Sequence, residues 1–285
     1  MPFAKKKTPA WAKMICACAT AILFGAGGAA AQVSDLVSKT ALRVCADPAN
    51  LPMSDQSEQG FENRLADFVA EKLGLPIEYT WYPMATGFIR NTLRANRCDV
   101  VIGYAQGHEL VQNTNHYMTS AYSLITKAGG PLADVDHLAD PRLKGAVIGV
   151  VAGSPPASHM ARNGLMSNVH GYDLMVDRRY ESPVDDMLAD LEAGRLDAAA
   201  VWGPIGGPLV KQGFPDLKVT PLLKETLPPR LFFRITMGVR LGEKVWEHEL
   251  NALIRRNQTE ISTILKDAGV PLINDMGTAA LEVSP

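Results

Sequence analysis

Hydrophobic positions along this chain follow two spacings in turn, and the alternation predicts its elements. "LRVCA" (42 to 46) is an apolar run of strand length, and behind it Leu65, Phe68, Val69 and Leu73 recur at helical spacing and stop at Gly74. "IEYTWY" (77 to 82) reads as a second strand. Thr86 then caps a helix carrying Phe88, Ile89 and Leu93, and "CDVVIGY" (98 to 104) follows as a buried strand. Such a βαβαβ series predicts a parallel sheet covered by helices.

The scheme restarts after the Gly-, Pro- and Asp-rich stretch "AGGPLADVDHLADPRLKG" with the strand "AVIGVV" (146 to 151). A helix begins at Ser182, with Pro183 in its first turn and Asp185 three residues past the cap. It carries Val184, Met187, Leu188 and Leu191 and ends at Gly194, before the strand "DAAAVW" (197 to 202). "TLRANRCDVVIGY" (92 to 104) and "DLEAGRLDAAAVW" (190 to 202) superpose at an offset of 98, pairing Leu93 with Leu191, Ala95 with Ala193, Arg97 with Arg195 and Asp99 with Asp197. Either two lobes share one plan, or both use a common helix-to-strand turn. The strand "LFFRITMGVR" (231 to 240) and a helix from about Glu243, burying Trp246, Leu250, Leu253, Ile254, Ile261 and Leu265, are expected to return to the first lobe.

The pattern therefore predicts an α/β chain of two lobes, 39–124 with 225–285 and 125–224, each a parallel-type sheet with flanking helices. Two crossing hinge strands, near 121–127 and 224–234, leave an interlobe cleft at the carboxyl ends of the strands, where ligands bind in open α/β folds.

Residues 1–31 change the picture of where this happens. Three lysines (Lys5, Lys6, Lys7), an apolar run from Met14 to Phe24 and the small residues Ala29, Ala30 and Ala31 read as a secretory signal cleaved after Ala31. The apolar run is shorter than the roughly 20 residues a spanning helix needs, so no stable membrane insertion is expected after cleavage. Removing the segment takes Lys5, Lys6, Lys7 and Lys13 from the 28 basic residues and none from the 30 acidic ones, leaving a balance near −6. That disfavours nucleic acid and anionic lipid as partners and suits a soluble protein exported to the periplasm. Cys45 and Cys98 then remain, and an oxidising compartment can join them. In-register parallel strands would set them about three residues, or ~10 Å, apart, whereas a bridge needs Cα atoms within about 7 Å, so a disulfide and two buried thiols both stay open.

No strong catalytic motif is present. The chain lacks a G-x-S-x-G elbow, a P-loop and H-E-x-x-H, and His108, His116, His137, His159, His170 and His248 never fall at metal-ligand spacing. Asp47, Asp55 and Glu58 lack the alternate-position carboxylates of a calcium loop, so neither a metal nor a cofactor is expected. For an enzyme, Asp47, Glu109 and His108 are the only acid or base candidates near the cleft.

The cleft candidates lie at strand ends. They are Asp47, Asn50 and Phe61 in the first loop, Tyr82, Tyr104 and Trp202 as flat apolar walls, Tyr117 on the segment before the crossing strand, and Gly153 with Ser154 as backbone N–H donors at a helix start. The aromatics can equally close the edge of each lobe's core.

The ordered segments "LRVCADPANLP", "GFENRLADFVAEKLG", "YTWYP", "GFIRNTL", "CDVVIGY", "DPRLKGAVIGV", "DAAAVWGP" and "MGVR" resemble the solute-binding-like J proteins encoded with quinoprotein methanol dehydrogenases, the MxaJ/XoxJ type, within the type II periplasmic binding protein fold. The likeness spans nearly the whole mature chain and leans toward XoxJ, which is paired with the lanthanide-dependent enzyme. It implies a non-catalytic periplasmic accessory that helps mature or activate a dehydrogenase holding pyrroloquinoline quinone (PQQ), with that dehydrogenase as partner and its cytochrome as a second candidate. The alternative is a transporter-type receptor for a small solute. Amino-acid receptors of this fold grip their ligand's carboxylate with an arginine before a Ser/Thr-x-Pro-Tyr-like segment. Here Thr114 and Tyr117 stand at the matching places, but no arginine occurs between Arg97 and Arg142. The J proteins' Tyr-Tyr-Arg-Ser-Thr-Tyr-like run is replaced by Tyr117, Met118, Thr119, Ser120, Ala121 and Tyr122, which removes its arginine.

Overall fold

The computed structural model describes residues 36–281; the expected signal segment at 1–31 lies outside them. Strand β1 (Leu42–Ala46) leads into a short hairpin of β2 (Ala49–Asn50) and β3 (Ser54–Asp55), then helix α1 (Phe61–Leu73), β4 (Ile77–Trp81), the single turn α2 (Phe88–Asn91) and β5 (Val101–Ala105). The residue before α1 is Gly60, whose backbone passes so close to Met53 that no side chain fits there. The Asn63 Oδ1 accepts from the Gly60 N–H at 3.1 Å and closes the first turn. At the other end Gly74 takes the left-handed conformation (φ 67°) that stops the helix. α2 departs from expectation: Gly87 (φ 94°), not Thr86, precedes it, and it ends after four residues. The Thr92 hydroxyl donates to the Phe88 carbonyl at 2.6 Å as the chain turns away.

A 16-residue strand, β6 (Gln112–Lys127), then serves both halves of the molecule. Next come β7 (Ile148–Val151), α3 (Pro155–Arg162), β8 (Val169–Tyr172), α4 (Pro183–Glu192), β9 (Ala198–Trp202), α5 (Gly203–Gly213) and β10 (Leu217–Pro221). β11 (Phe232–Val239), α6 (Lys244–Arg256) and α7 (Gln258–Ala268) complete the order. The main sheet runs β5-β11-β6-β9-β7-β8, with β10 also on β6. β7, β8 and β9 are mutually parallel, β1 pairs β4 in parallel, and a parallel bridge joins Val44 to Val100. β6 and β11 run antiparallel to their neighbours. The first part of β6 pairs β11, and its last residues, from Tyr122 on, pair β9 and β10.

Side chains alternate across these strands into separate cores. Ala198 and Ala200 of β9 face a core with Ile148, Val150 and Met160, while Ala199 and Val201 face another with Met187, Leu188 and Leu191. A strand buried on both faces has to be apolar throughout, which is why "AAAVW" shows no polar alternation. The other half of the molecule has a large core of α1, α6, α7 and β11 residues and a smaller one around Cys45, Phe88, Leu93 and Cys98.

Two helical segments differ from the sequence expectation. α5 forms from "GPIGGPLVKQG", a composition that argues against a helix, because its glycines are needed for contact: a Cβ at Gly207 would strike the Gly269 carbonyl and Pro271, and one at Gly206 would strike Val201 and Ile125. The expected helix from Glu243 is two helices, broken at Asn257, whose Nδ2 donates to the Leu253 carbonyl at 2.7 Å.

The repeated segments do share local geometry. Asn96 (φ 56°) and Gly194 (φ 75°), at matching positions, are both left-handed. The Arg97 N–H donates to the Thr92 carbonyl as the Arg195 N–H does to Asp190. Asp99 and Val100 both donate to the Arg43 carbonyl, just as Asp197 and Ala198 both donate to Val147. This double donation bends the chain at Asp99. Cys98 therefore does not sit a full strand's distance behind Cys45: their Cα atoms are 5.6 Å apart and the sulfurs are joined as a disulfide, closer than the ~10 Å of a straight in-register pair.

Candidate functional site

Two adjoining cavities, of about 380 and 580 Å³, lie between the loop after β1 and the segment from Asp173 to Asp185. Their walls are apolar over most of their area, with Pro48, Ala49, Met84, Leu174 and Val176 prominent, and the carboxylates of Asp173, Glu181 and Asp185 also line the first. At this mouth Asp47 lines the second of these cavities and Asn50 the first. The Asp47 carboxylate is buried and accepts from the Ala49 N–H (2.9 Å) and the Met84 N–H (2.7 Å), which ties the β1 loop to the loop after β4. Arg178 reaches across, donating to the Asn50 Oδ1 at 2.5 Å and lying 3.9 Å from Asp47. Its neighbour Arg179 is paired with Asp177. In the lining, Leu51, Leu174 and Met175 are 51, 57 and 78% exposed, a concentration of bare apolar surface that solvent does not favour, and Tyr180, between the lining residues Arg179 and Glu181 in the chain, is 80% exposed.

Other candidates go elsewhere. Phe61 and Tyr117 are core residues, each 1% exposed: Phe61 opens α1 facing the sheet, and the Tyr117 ring points the same way from β6. Gly153 and Ser154 do not form the expected pair of free N–H donors at a helix start, although the Ser154 hydroxyl is buried without a partner. The Ser154 N–H donates to the Val151 carbonyl, and the next two positions are Pro155 and Pro156, which have no N–H. Tyr82 packs beside the Cys45 core and its hydroxyl accepts from the Asn91 Nδ2 at 2.8 Å. Trp202 lies in an aromatic group with Tyr122 and Phe233, at centroid distances of 5.3 and 5.7 Å, where β6, β9 and β11 meet. Tyr104 lines a third cavity beside His108, its hydroxyl 3.4 Å from the His108 Nδ1. Asp55 does not join Asp47 in a cation site; its oxygens accept from the Ser57 and Gln59 N–H groups of its own turn.

Beneath the mouth is a carboxyl that sequence reasoning passed over. Glu62, on the first turn of α1, is 5% exposed; its Oε1 is buried without a partner against Gly103, as is the Tyr117 hydroxyl without one. Burial, helped by the charge of Asp47, pushes its pKa up to about 7. A group with a raised folded pKa contributes fully below its unfolded value, near 4.3, and that contribution is lost as pH rises to the folded value. Glu62→Gln is therefore expected to raise the unfolding free energy by roughly 2–3 kcal/mol at pH 8 and to leave it unchanged near pH 4. Urea denaturation at the two pH values checks this; equal effects at both would contradict it.

With this geometry in place, comparison with known proteins is informative. No protein-family model matches the chain. The crystal structure of the periplasmic binding protein XoxJ from Methylobacterium extorquens AM1 is 38% identical, with a TM-score of 0.69, over 82% of this chain and 100% of that one. The chain belongs to the MxaJ/XoxJ family of periplasmic binding proteins. The MxaJ structure from Methlophaga aminisulfidivorans MPT is 28% identical, also at TM-score 0.69, over 81% of this chain and 100% of that one. Protein MoxJ of Methylorubrum extorquens AM1 is 28% identical over 94% of this chain and 97% of its own length. Amino-acid-binding proteins at 18% identity share the type II fold alone. Among the described residues, no helix is long and apolar enough to cross a membrane.

In this member of the MxaJ/XoxJ family the residues that sequence reasoning missed are Leu174, Met175, Arg178 and Tyr180. All come from "DLMVDRRYES", whose only signal was a Leu-Met-Val run followed by two arginines and a tyrosine, without a period to assign it. Arg178→Ala is expected to change stability by less than about 1 kcal/mol, because its guanidinium is half exposed. It removes the hydrogen bond across the mouth, however, so the radius of gyration from small-angle scattering is expected to increase. An unchanged scattering profile would mean that Arg178 does not hold the mouth.

Proposed function

We propose that this protein is a non-catalytic periplasmic accessory that assists maturation or activation of a PQQ-dependent methanol dehydrogenase of the lanthanide-dependent kind, holding a segment of that enzyme at its cleft. In this reading the molecule has two lobes, 39–124 with 225–285 and 125–224, and is exported by the segment cleaved after Ala31. The observation that carries the reading is the mouth itself: exposed Leu51, Leu174 and Met175 line it, with exposed Tyr180 adjoining the lining residue Arg179 in the chain, and both nearby arginines are already paired within the chain. Such a surface suits an apolar stretch of polypeptide better than a small charged solute. Membership in the MxaJ/XoxJ family, with the higher likeness to XoxJ, supports the choice of partner.

The test uses dehydrogenase made in a strain lacking this protein. Adding the purified accessory should restore activity, and pull-down from periplasm should recover the apo enzyme. If neither happens, the reading fails. Exchanging Met175 and Tyr180 for serine should weaken capture with little change in melting temperature, since both side chains are more than three-quarters exposed.

A receptor for a small solute remains the second reading, favoured by cavity volumes within the range of ligand pockets. A thermal-shift screen of amino acids, quinone cofactor, alcohols and aldehydes tests it, since a ligand at 100 times its dissociation constant adds about 2.7 kcal/mol.

A further inference from the structure

A second groove, of about 510 Å³, continues from the mouth through Met84, Ala85 and Thr86, which line both. Its floor is apolar, built from Phe88, Ile89 and the half-exposed Leu110. Its charged lining is of one sign: Arg90 and Arg94 face it, with His108 beside them, and no carboxylate lines it. Arg90 and Arg94 are exposed, and neither guanidinium has an ion pair among the described residues. Arg43, Arg142, Arg178, Arg179, Arg195 and Arg240 lie against carboxylates, whereas Arg64, Arg97, Arg162, Arg230, Arg234, Arg255 and Arg256, like Arg90 and Arg94, have no ion pair among the described residues. What sets this groove apart is its lining: two exposed arginines four residues apart stand over an apolar floor with no carboxylate beside them, in a chain with more acidic than basic residues.

We propose that this groove receives an acidic segment of the partner protein, with Arg90 and Arg94 meeting its carboxylates and Phe88, Ile89 and Leu110 taking an apolar side chain between them. The inference rests on the accessory reading above and specifies the chemistry of the partner segment. Charge complementarity of this kind steers encounter and sets register, so it predicts an association that weakens with salt. Exposed guanidinium groups bound bidentately to carboxylates supply the specificity. His108, held beside Tyr104, lies at the end of the groove next to the exposed Glu109, which limits how far acidic sequence can extend.

The probe is a fluorescein-labelled peptide of alternating Glu and Leu, compared with the same peptide carrying Gln for Glu. The full-length mature protein is expected to bind the Glu peptide about tenfold more tightly than the Gln peptide in low salt, and R90E/R94E to abolish the difference. Circular dichroism and the melting temperature should not change, because both arginines are exposed. Equal binding of the two peptides, or binding indifferent to R90E/R94E, overturns the inference. Sedimentation with phosphatidylglycerol vesicles that R90E/R94E abolishes, without peptide binding, would assign the groove to a membrane surface and also overturn it. If apo dehydrogenase is captured equally by both forms, the groove proposal fails while the accessory reading stands. If the peptide result holds and the dehydrogenase is captured by neither form, the accessory reading fails and the groove remains a site for acidic segments.

Discussion

Replacing Asp99 by alanine is expected to lower the unfolding free energy by about 3–5 kcal/mol at pH 7. The carboxylate is 1% exposed and accepts from the Arg43 Nε (2.7 Å) and Nη2 (2.6 Å), from the Arg240 Nη2 (2.7 Å) and from the Ser38 N–H (3.0 Å). It thereby ties the start of β1, the entry to β5 and the residue after β11 together. Removing it leaves Arg240, 7% exposed, with Glu243 and the Cys98 carbonyl as its partners among the described residues. Burial alone would push the Asp99 carboxyl up, but the hydrogen bonds from Arg43, Ser38 and Arg240 outweigh it and hold the carboxyl below the usual carboxylate range. A depressed folded pKa contributes stability that is complete above the unfolded value of about 3.9 and is lost as pH falls through the folded value. The gap between wild type and D99A should therefore narrow in acid. Asp197, at the matching position of the other half, is exposed and caps only the Val147 N–H at 2.8 Å, so D197A should cost no more than about 1 kcal/mol. Similar losses from the two substitutions would show that the ion cluster is not what stabilises the turn.

The double substitution Cys45→Ala with Cys98→Ala is expected to cost about 4 kcal/mol, from the chain entropy that a 53-residue separation confines. The two cysteines are buried in the small core with Phe88, Ile89, Leu93 and Val101, so the bridge joins β1 to the bend that starts β5. Denaturant titration of oxidised, reduced and alanine forms measures it. A mature protein that titrates two free thiols after denaturation without reductant would mean the bond does not form, whatever the stability difference. Cys98 adjoins Asp99 on the same bend, so the two sets of substitutions should not be additive. Once the bridge is gone, the Asp99 cluster becomes the remaining tie at that point, and D99A should cost more in the alanine background than in wild type.

The contrast between the two halves also explains what could be read in advance. The offset repeat from Thr92 to Tyr104 and from Asp190 to Trp202 shows in the letters because both turns place a left-handed residue at the same point and an aspartate beside the strand, while the arginine between them pairs Asp190 in one turn and reaches the Asn91 carbonyl in the other. That Asp99 is buried among two arginines while Asp197 is exposed does not show, because Arg43 and Arg240 come from distant parts of the chain.

Asp47 and Asn50 fell at the mouth because β1 ends there, and a strand's end follows directly from the apolar run. Phe61 and Tyr117 fell in the core because a side chain's direction at the start of a helix, or along a strand with neighbours on both sides, depends on which face meets the other elements. The absence of arginine between Arg97 and Arg142 was real, yet Arg234 stands opposite Thr119 in the sheet, brought there by the antiparallel pairing of β11. Sequence distance says nothing about a neighbour across a ladder.

By itself the sequence determined the βα alternation and the helix stop at Gly74, because each is a local matter of apolar period, backbone freedom and capping; of the repeat it showed the letters and left its meaning open. The tertiary structure alone decided that a Gly- and Pro-rich segment would be helix α5, that Arg178 would close on Asn50, and that Glu62 would lie without a partner under the mouth. Those outcomes depend on close approach and burial between segments far apart in the chain, and no local propensity encodes such a contact.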